Sequence, residues 1–173
     1  MLRNNGIFRD VYLLSRPQGH IADIDIRTKG KDICIRFDGR ARITLLDQGK
    51  ELSAQDAVGE AVFHVDDPVL WNAEKPFLYE LRFEYAGEVI VQKVGFRAIA
   101  ISDKYELLIN GVPVKLQGVN HHDTHPTNGY TLTNQELWDE LLLMKKLNIN
   151  CIRTSHYPPT PEFLCMCDEL GFY

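Results

Sequence analysis

Two short apolar runs, each ending in a cluster of histidine and other polar residues, flank a single amphipathic helical segment. Residues 115–126 read KLQGVNHHDTHP and residues 151–158 read CIRTSHYP. Between them, Thr133 and Glu136 have the spacing of a capping box. Leu137, Leu141, Met144 and Leu147 then recur at helical spacing, thickened by Trp138 and Leu142. Strand, helix, strand in this order predicts a parallel βαβ unit, because two parallel strands need a crossover of helical length. In such folds the chemistry sits at the C-terminal ends of the strands, where both histidine clusters fall. Thr160-Pro161 predicts the start of a second helix and Gly171 its end.

The chain before residue 100 has a different rhythm. Ile7–Leu14 reads as one strand-like run, broken at Arg16-Pro17. From His20 the apolar residues alternate: Ile33, Ile35 and Phe37, then Ile43 and Leu45, then segments at 62–65, 78–85 and 89–94. Gly39, Gly49 and Gly59 punctuate the runs. Gly30, Asp47–Lys50 and Ala86-Gly87 read as hairpin turns, as does Asn110-Gly111 further on. About seven short strands with turns at such intervals predict a sandwich of immunoglobulin type. Cys34 is alone there, so no inter-sheet disulfide is expected, and Trp71 is expected to plug the space between the sheets.

Bulk properties exclude several classes. A net charge of −5, with no basic stripe, argues against a nucleic-acid partner. No run approaches a membrane span, so no membrane partner is expected. The four cysteines are scattered, and Cys165 and Cys167 at i,i+2 on a helix point in different directions. Reduced thiols and a cytoplasmic location are expected. The step after Gly171 reads as the beginning of another strand, which marks the chain as an internal fragment.

The histidine clusters leave three readings open. His121, His122, Asp123 and His125 could ligate a metal, serve as ordinary hydrogen-bonded loop residues, or recognise a hydroxylated ligand. The spacing is not that of a helical zinc site. If the two strands are adjacent, His122 and His156 face one pocket. Arg153 then either pairs with a carboxylate or meets substrate. Tyr157-Pro158-Pro159 reads as a rigid turn, with a stacking role for Tyr157 as the lesser alternative. Asp123 is the only carboxylate in the first cluster, and glycoside hydrolysis ordinarily needs two. The sequence therefore shows binding groups without a catalytic pair.

The segments NNGIFRDVYLL, PVLWNAEKPFLYEL, VGFRAIAI, LLINGVPVKLQGVNHHDTHP and MKKLNINCIRTSHYPPTPEFLCMCDELGFY together resemble family 2 glycoside hydrolases. The HHDTHP form resembles the β-galactosidase branch. The resemblance implies a multidomain β plus α/β chain. Residues 1–17 would be the last strand of a sugar-binding jelly roll with its linker, 18–99 an immunoglobulin-like β-sandwich, and 100–173 the first two βα units of a truncated TIM barrel. It implies that His122 and His156 contact the galactosyl group or its transition state, with Arg153 and Asp123 in support. It places no catalytic residue and no metal ligand in this stretch: the two glutamates and the magnesium ligands lie beyond Tyr173. The parent would be a homo-oligomer acting on galactosides such as lactose. The alternatives are a carbohydrate-binding or scaffold module without catalysis, or a family 2 β-glucuronidase or β-mannosidase.

Overall fold

The computed structural model of the chain describes residues 6, 7 and 9–173. It divides into two compact units: Arg16–Lys115, and the described part of Met1–Ser15 together with Leu116–Tyr173.

The first of these units is built from antiparallel strands. Strand β1 spans Ile24–Lys29, β2 Asp32–Asp47, β3 Lys50–His64, β4 Tyr79–Tyr85 and β5 Glu88–Val94. Three turns are fixed by residue pairs with positive φ: Gln48-Gly49 (48° and 83°), Ala86-Gly87 (51° and 83°) and Asn110-Gly111 (52° and 79°). That combination is the tight hairpin turn whose twist matches the flanking strands.

Two of the expected boundaries are absent. The strands run through Gly39 and Gly59, which face each other across the β2–β3 ladder. There the register shifts, so that residues 37–39 lie opposite Gly59 alone. Both glycines have positive φ, 99° and 74°, a conformation that disfavours other residues. The expected run of short strands is therefore replaced by two long ones bent at a bulge. On one side of the bend β2 pairs with β1, and on the other with β4, while β3 follows it along both halves.

The register shift preserves parity, so Ile33, Ile35 and Phe37 point to the same interior as Ala41, Ile43 and Leu45. Leu81, Phe83, Ala61 and Phe63 complete that core. Full burial of each large apolar side chain contributes roughly 1.5–3 kcal/mol, and strands β1–β5 hold just over half of the buried residues among those described. Trp71 is buried but lies outside this cluster, which corrects the expectation of an inter-sheet plug. Its backbone N–H donates to the Phe96 carbonyl at 2.8 Å, its side chain sits on Gly95, and the Arg97 guanidinium lies 4.5 Å above its ring. A small sheet follows, with β6 at Ile99–Ile101, β7 at Leu107–Ile109 and β8 at Val112–Pro113.

In the other unit, β9 (Gly118–His121), α1 (Asn134–Lys146), β10 (Cys151–Thr154) and α2 (Pro161–Leu170) follow in order. Strands β9 and β10 pair in parallel, with Cys151 opposite Gly118 and Thr154 opposite His121. The helix signals hold. Thr133 and Glu136 form the capping box, Thr160 caps α2 ahead of Pro161, and Gly171 closes it at φ 81°. Leu137, Leu141, Phe163 and Phe172 form the core, with Ile152 packed against it, so α1 and α2 cover one face of the parallel pair. Leu147 is not on the buried stripe but caps the helix at 64% exposure. Tyr173 receives and gives hydrogen bonds along β10, from its N–H to Asn150 O and from Ile152 N–H to its own carbonyl. The strand expected at Ile7–Leu14 does not form: among its described residues no ladder pairing occurs, and Val11, Tyr12, Leu13 and Leu14 are largely exposed. A strand-like apolar run becomes a strand only where a partner backbone accepts its N–H groups. Phe8 of that run lies outside the described residues.

Candidate active site

Parallel pairing brings the exits of β9 and β10 to the same end, since Thr154 stands opposite His121 and the Ser155 N–H donates to the His121 carbonyl at 2.9 Å. Side chains alternate along a strand. His121, in step with Val119, turns towards the helices; His122 turns away.

His121 is 7% exposed. Its ring stacks on Phe163, with centroids 5.0 Å apart and planes at 23°. Its Nε2 lies 2.9 Å from Glu140 Oε2 on α1, and its Nδ1 lies 3.5 Å from Asp123 Oδ1. His125 also bonds within the unit. Its Nδ1 accepts from the N–H groups of Thr127 and Asn128, at 3.3 and 3.2 Å, so the proton belongs on Nε2, which faces Glu136 at 3.3 Å. Two histidines four residues apart thus meet two glutamates four residues apart on α1. Hydrogen bonds from Thr133, first through its backbone, hold the Glu136 carboxyl below the usual carboxylate range.

His122 and His156 come together. Their ring centroids are 5.7 Å apart, edge to face at 89°. The Nδ1 of His122 is buried without a partner among the described residues. Tyr157 packs at 6.3 Å from the His122 ring and 6.3 Å from Tyr130. Its hydroxyl accepts the Asp123 N–H at 2.8 Å. Burial pushes the Tyr157 phenol up, so it remains a neutral hydroxyl at neutral pH. Asp123 is held by its neighbours: its carboxylate lies 3.6 Å from Arg9, whose guanidinium also donates to the Pro158 carbonyl at 2.6 Å. Arg153 projects from the face of β10 away from the helices. It reaches Asn120 Oδ1 at 3.5 Å and Ser155 Oγ at 3.4 Å, and among the described residues it has no carboxylate partner.

The metal reading finds no ligand set. Among the described residues no group of three or more His, Cys, Asp or Glu side chains is placed to hold a cation. His121 and His125 instead meet glutamates on α1. The magnesium implied by the resemblance therefore has no cluster here to receive it, and no step is assigned to it. What the arrangement offers chemically is a pair of imidazoles able to donate or accept hydrogen bonds, with the exposed Arg153 guanidinium held at Asn120 and Ser155. Glu140 is not legible in the sequence as part of the site, whereas Tyr157 belongs to the second cluster, where a stacking role is the lesser reading beside the rigid turn. The signal for Glu140 was its place on α1 beside Leu137 and Leu141. For Tyr157 the sequence offers the ring, which stands near His122 and Tyr130, but not the hydroxyl's bond to Asp123.

Residues 10–97 match the family described as Glycosyl hydrolases family 2. The chain belongs to that family. Residues 99–173 match its TIM barrel domain, so a sandwich-like family 2 domain is followed by the start of a TIM-barrel domain. Among curated relatives, the chain is 43% identical over 182 residues to a β-galactosidase of Actinobacillus pleuropneumoniae, covering 99% of this chain and 18% of the relative. It is 38% identical over 185 residues to a β-galactosidase of Staphylococcus xylosus, covering 100% of this chain and 18% of the relative. The chain thus spans about a fifth of the length of the curated relatives it matches. Among solved structures, a Faecalibacterium prausnitzii β-glucuronidase superposes with a TM-score of 0.83 at 26% identity, over 90% of this chain and 27% of that one. Bacteroides uniformis β-glucuronidase 3 gives 0.78 at 27% identity, over 88% and 22%.

Proposed function

We propose that this chain is part of a retaining β-galactosidase that hydrolyses terminal β-D-galactosides such as lactose. In this reading residues 18–99 form an immunoglobulin-like sandwich, and 100–173 supply the first two βα units of the barrel. The observation that carries it is the meeting of His122 and His156 at 5.7 Å, at the C-terminal end of a parallel strand pair. Their imidazoles bond sugar hydroxyls and strengthen those bonds as oxocarbenium character develops. Arg153 supports carboxylates that other sequence provides. The acid/base and nucleophile glutamates are not in this chain, so the chain alone does not hydrolyse glycosides. The same reading includes a homo-oligomeric, magnesium-using parent in the cytoplasm. No helix among the described residues is long and apolar enough to cross a membrane.

The choice of galactoside rests on the curated relatives at 43% and 38% identity. A β-glucuronidase is the second reading, favoured by the solved structures at 26% and 27%. A panel of aryl β-glycosides offered to the protein that carries this chain decides between them. Turnover of the galactoside well above the glucuronide is expected; the reverse order overturns the reading. His156→Ala in that protein should lower kcat on the preferred substrate by about 10²-fold, the scale of losing one oriented donor.

A further inference from the structure

We propose that Tyr157 is a positioning residue: its hydroxyl, by accepting the Asp123 N–H, fixes the His122 ring against His156. The inference rests on the reading of His122 and His156 as the sugar-contacting pair.

The backbone around His122 is tied on both sides. Upstream, the His121 carbonyl accepts the Ser155 N–H at 2.9 Å, and the His121 ring is locked between Phe163 and Glu140. Downstream, the His122 carbonyl accepts the Thr124 N–H at 2.8 Å, which is a local turn and sets no position relative to β10. Two contacts cross from this loop to the other: Arg9 joins the Asp123 carboxylate, at 3.6 Å, to the Pro158 carbonyl, at 2.6 Å, and the Asp123 N–H ends directly on Tyr157 at 2.8 Å. Tyr157 follows His156 directly, so its hydroxyl ties the peptide of the residue after His122 to the residue after His156, whereas Arg9 holds only the Asp123 side chain. The ring itself stands between Tyr130 and His122, at 6.3 Å from each. That contact holds the hydroxyl in place but does not orient the Asp123 peptide. Phenylalanine at this position would keep the ring packing and remove the acceptor. A displacement of about 1 Å in a reacting constellation costs on the order of 10²-fold in rate.

Tyr157→Phe in the full chain tests the assignment. Asp123 amide exchange is expected to quicken about 2- to 10-fold, the span of one net hydrogen bond. The inter-ring nuclear Overhauser effect between His122 and His156 should weaken or vanish, with the unfolding midpoint lowered by no more than the loss of one hydrogen bond implies. Unchanged exchange and an unchanged inter-ring signal overturn the proposal. Should Tyr157→Phe fail to fold, the wild type decides: a cross-peak between the Tyr157 ring and the Asp123 N–H is expected, and its absence refutes the contact. In the protein carrying this chain, Tyr157→Phe should lower kcat roughly 10- to 100-fold with little change in KM. This holds on whichever aryl β-glycoside that protein turns over. A wrong sugar therefore refutes the galactoside reading alone, whereas an unmoved kcat refutes the role of Tyr157.

Discussion

Glu140→Ala tests whether the helix layer holds the end of β9 through His121. The His121 side chain is 6% exposed and its Nε2 lies 2.9 Å from Glu140 Oε2. Truncation leaves a buried ring nitrogen without that partner, a loss of about 1–3 kcal/mol. The Glu140 side chain is 41% exposed, so water can enter as a replacement, and the lower half of that range is expected. The exchange of amides in α1 and in residues 121–125 reads the loss locally, which suits a chain of two units better than a global transition. An increase of about 5- to 30-fold is expected, confined to the unit that holds α1. Glu140→Gln keeps an acceptor and should recover most of the protection. The cycle of Glu140→Ala with His121→Ala isolates the pair: a coupling of at least about 0.5 kcal/mol is expected for side chains in direct contact. Additivity within about 0.3 kcal/mol would refute the anchor, because two residues that do not interact have independent effects.

Gly95→Ala should destabilise the sandwich-like domain by about 1–2 kcal/mol in urea denaturation, the ordinary cost of overpacking. The new Cβ would meet Trp71 Cβ at 2.8 Å and Cγ at 3.0 Å, and Trp71, 1% exposed, has no room to withdraw. Acidification should fray the start of α1. Glu136 has its carboxyl pKa lowered in the fold, foremost by the Thr133 N–H, so its contribution is full above the ordinary glutamate range and is lost as pH falls through the depressed value. Protection of the first-turn amides of α1, taken relative to the intrinsic exchange rate at each pH, should therefore fall as pH drops below about 4, and Glu136→Gln should flatten that response. Thiol labelling at pH 8 should modify exposed Cys165 well before Cys167, whose thiol burial pushes up to about 12.

How much of this was legible in the sequence depended on whether the signal was local. The turns at Gln48-Gly49, Ala86-Gly87 and Asn110-Gly111, the Thr133–Glu136 capping box, and the Pro161 and Gly171 ends of α2 are decided within four residues, and all form. Gly39 and Gly59 were misread because a glycine looks the same in a turn and in a bulge. What distinguishes them is that these two stand opposite each other across β2 and β3, a fact of pairing that no single run contains. The described residues of 7–14 form no strand for a related reason: an apolar run states that a strand could be buried, not whether a partner exists.

The site shows the same division with a further twist. His121 and His122 are adjacent and chemically identical, yet one is buried against Phe163 and Glu140 and the other meets His156. Parity separates them. Val119 is the apolar residue that precedes the cluster, and His121 is in step with it, so His121 inherits the helix-facing side and His122 the other. By the same count Ile152 packs on the helices and Arg153 emerges opposite, beside Asn120. The strand period therefore assigns the paired imidazoles once the strand is known to continue to residue 121. It does not supply Glu140 or Tyr157, because each meets its partner only after α1 has folded back over the parallel pair and the two loops have been drawn to one end. The imidazole pair is a product of strand order, and the helix layer behind it holds the neighbouring His121 through Phe163 and Glu140.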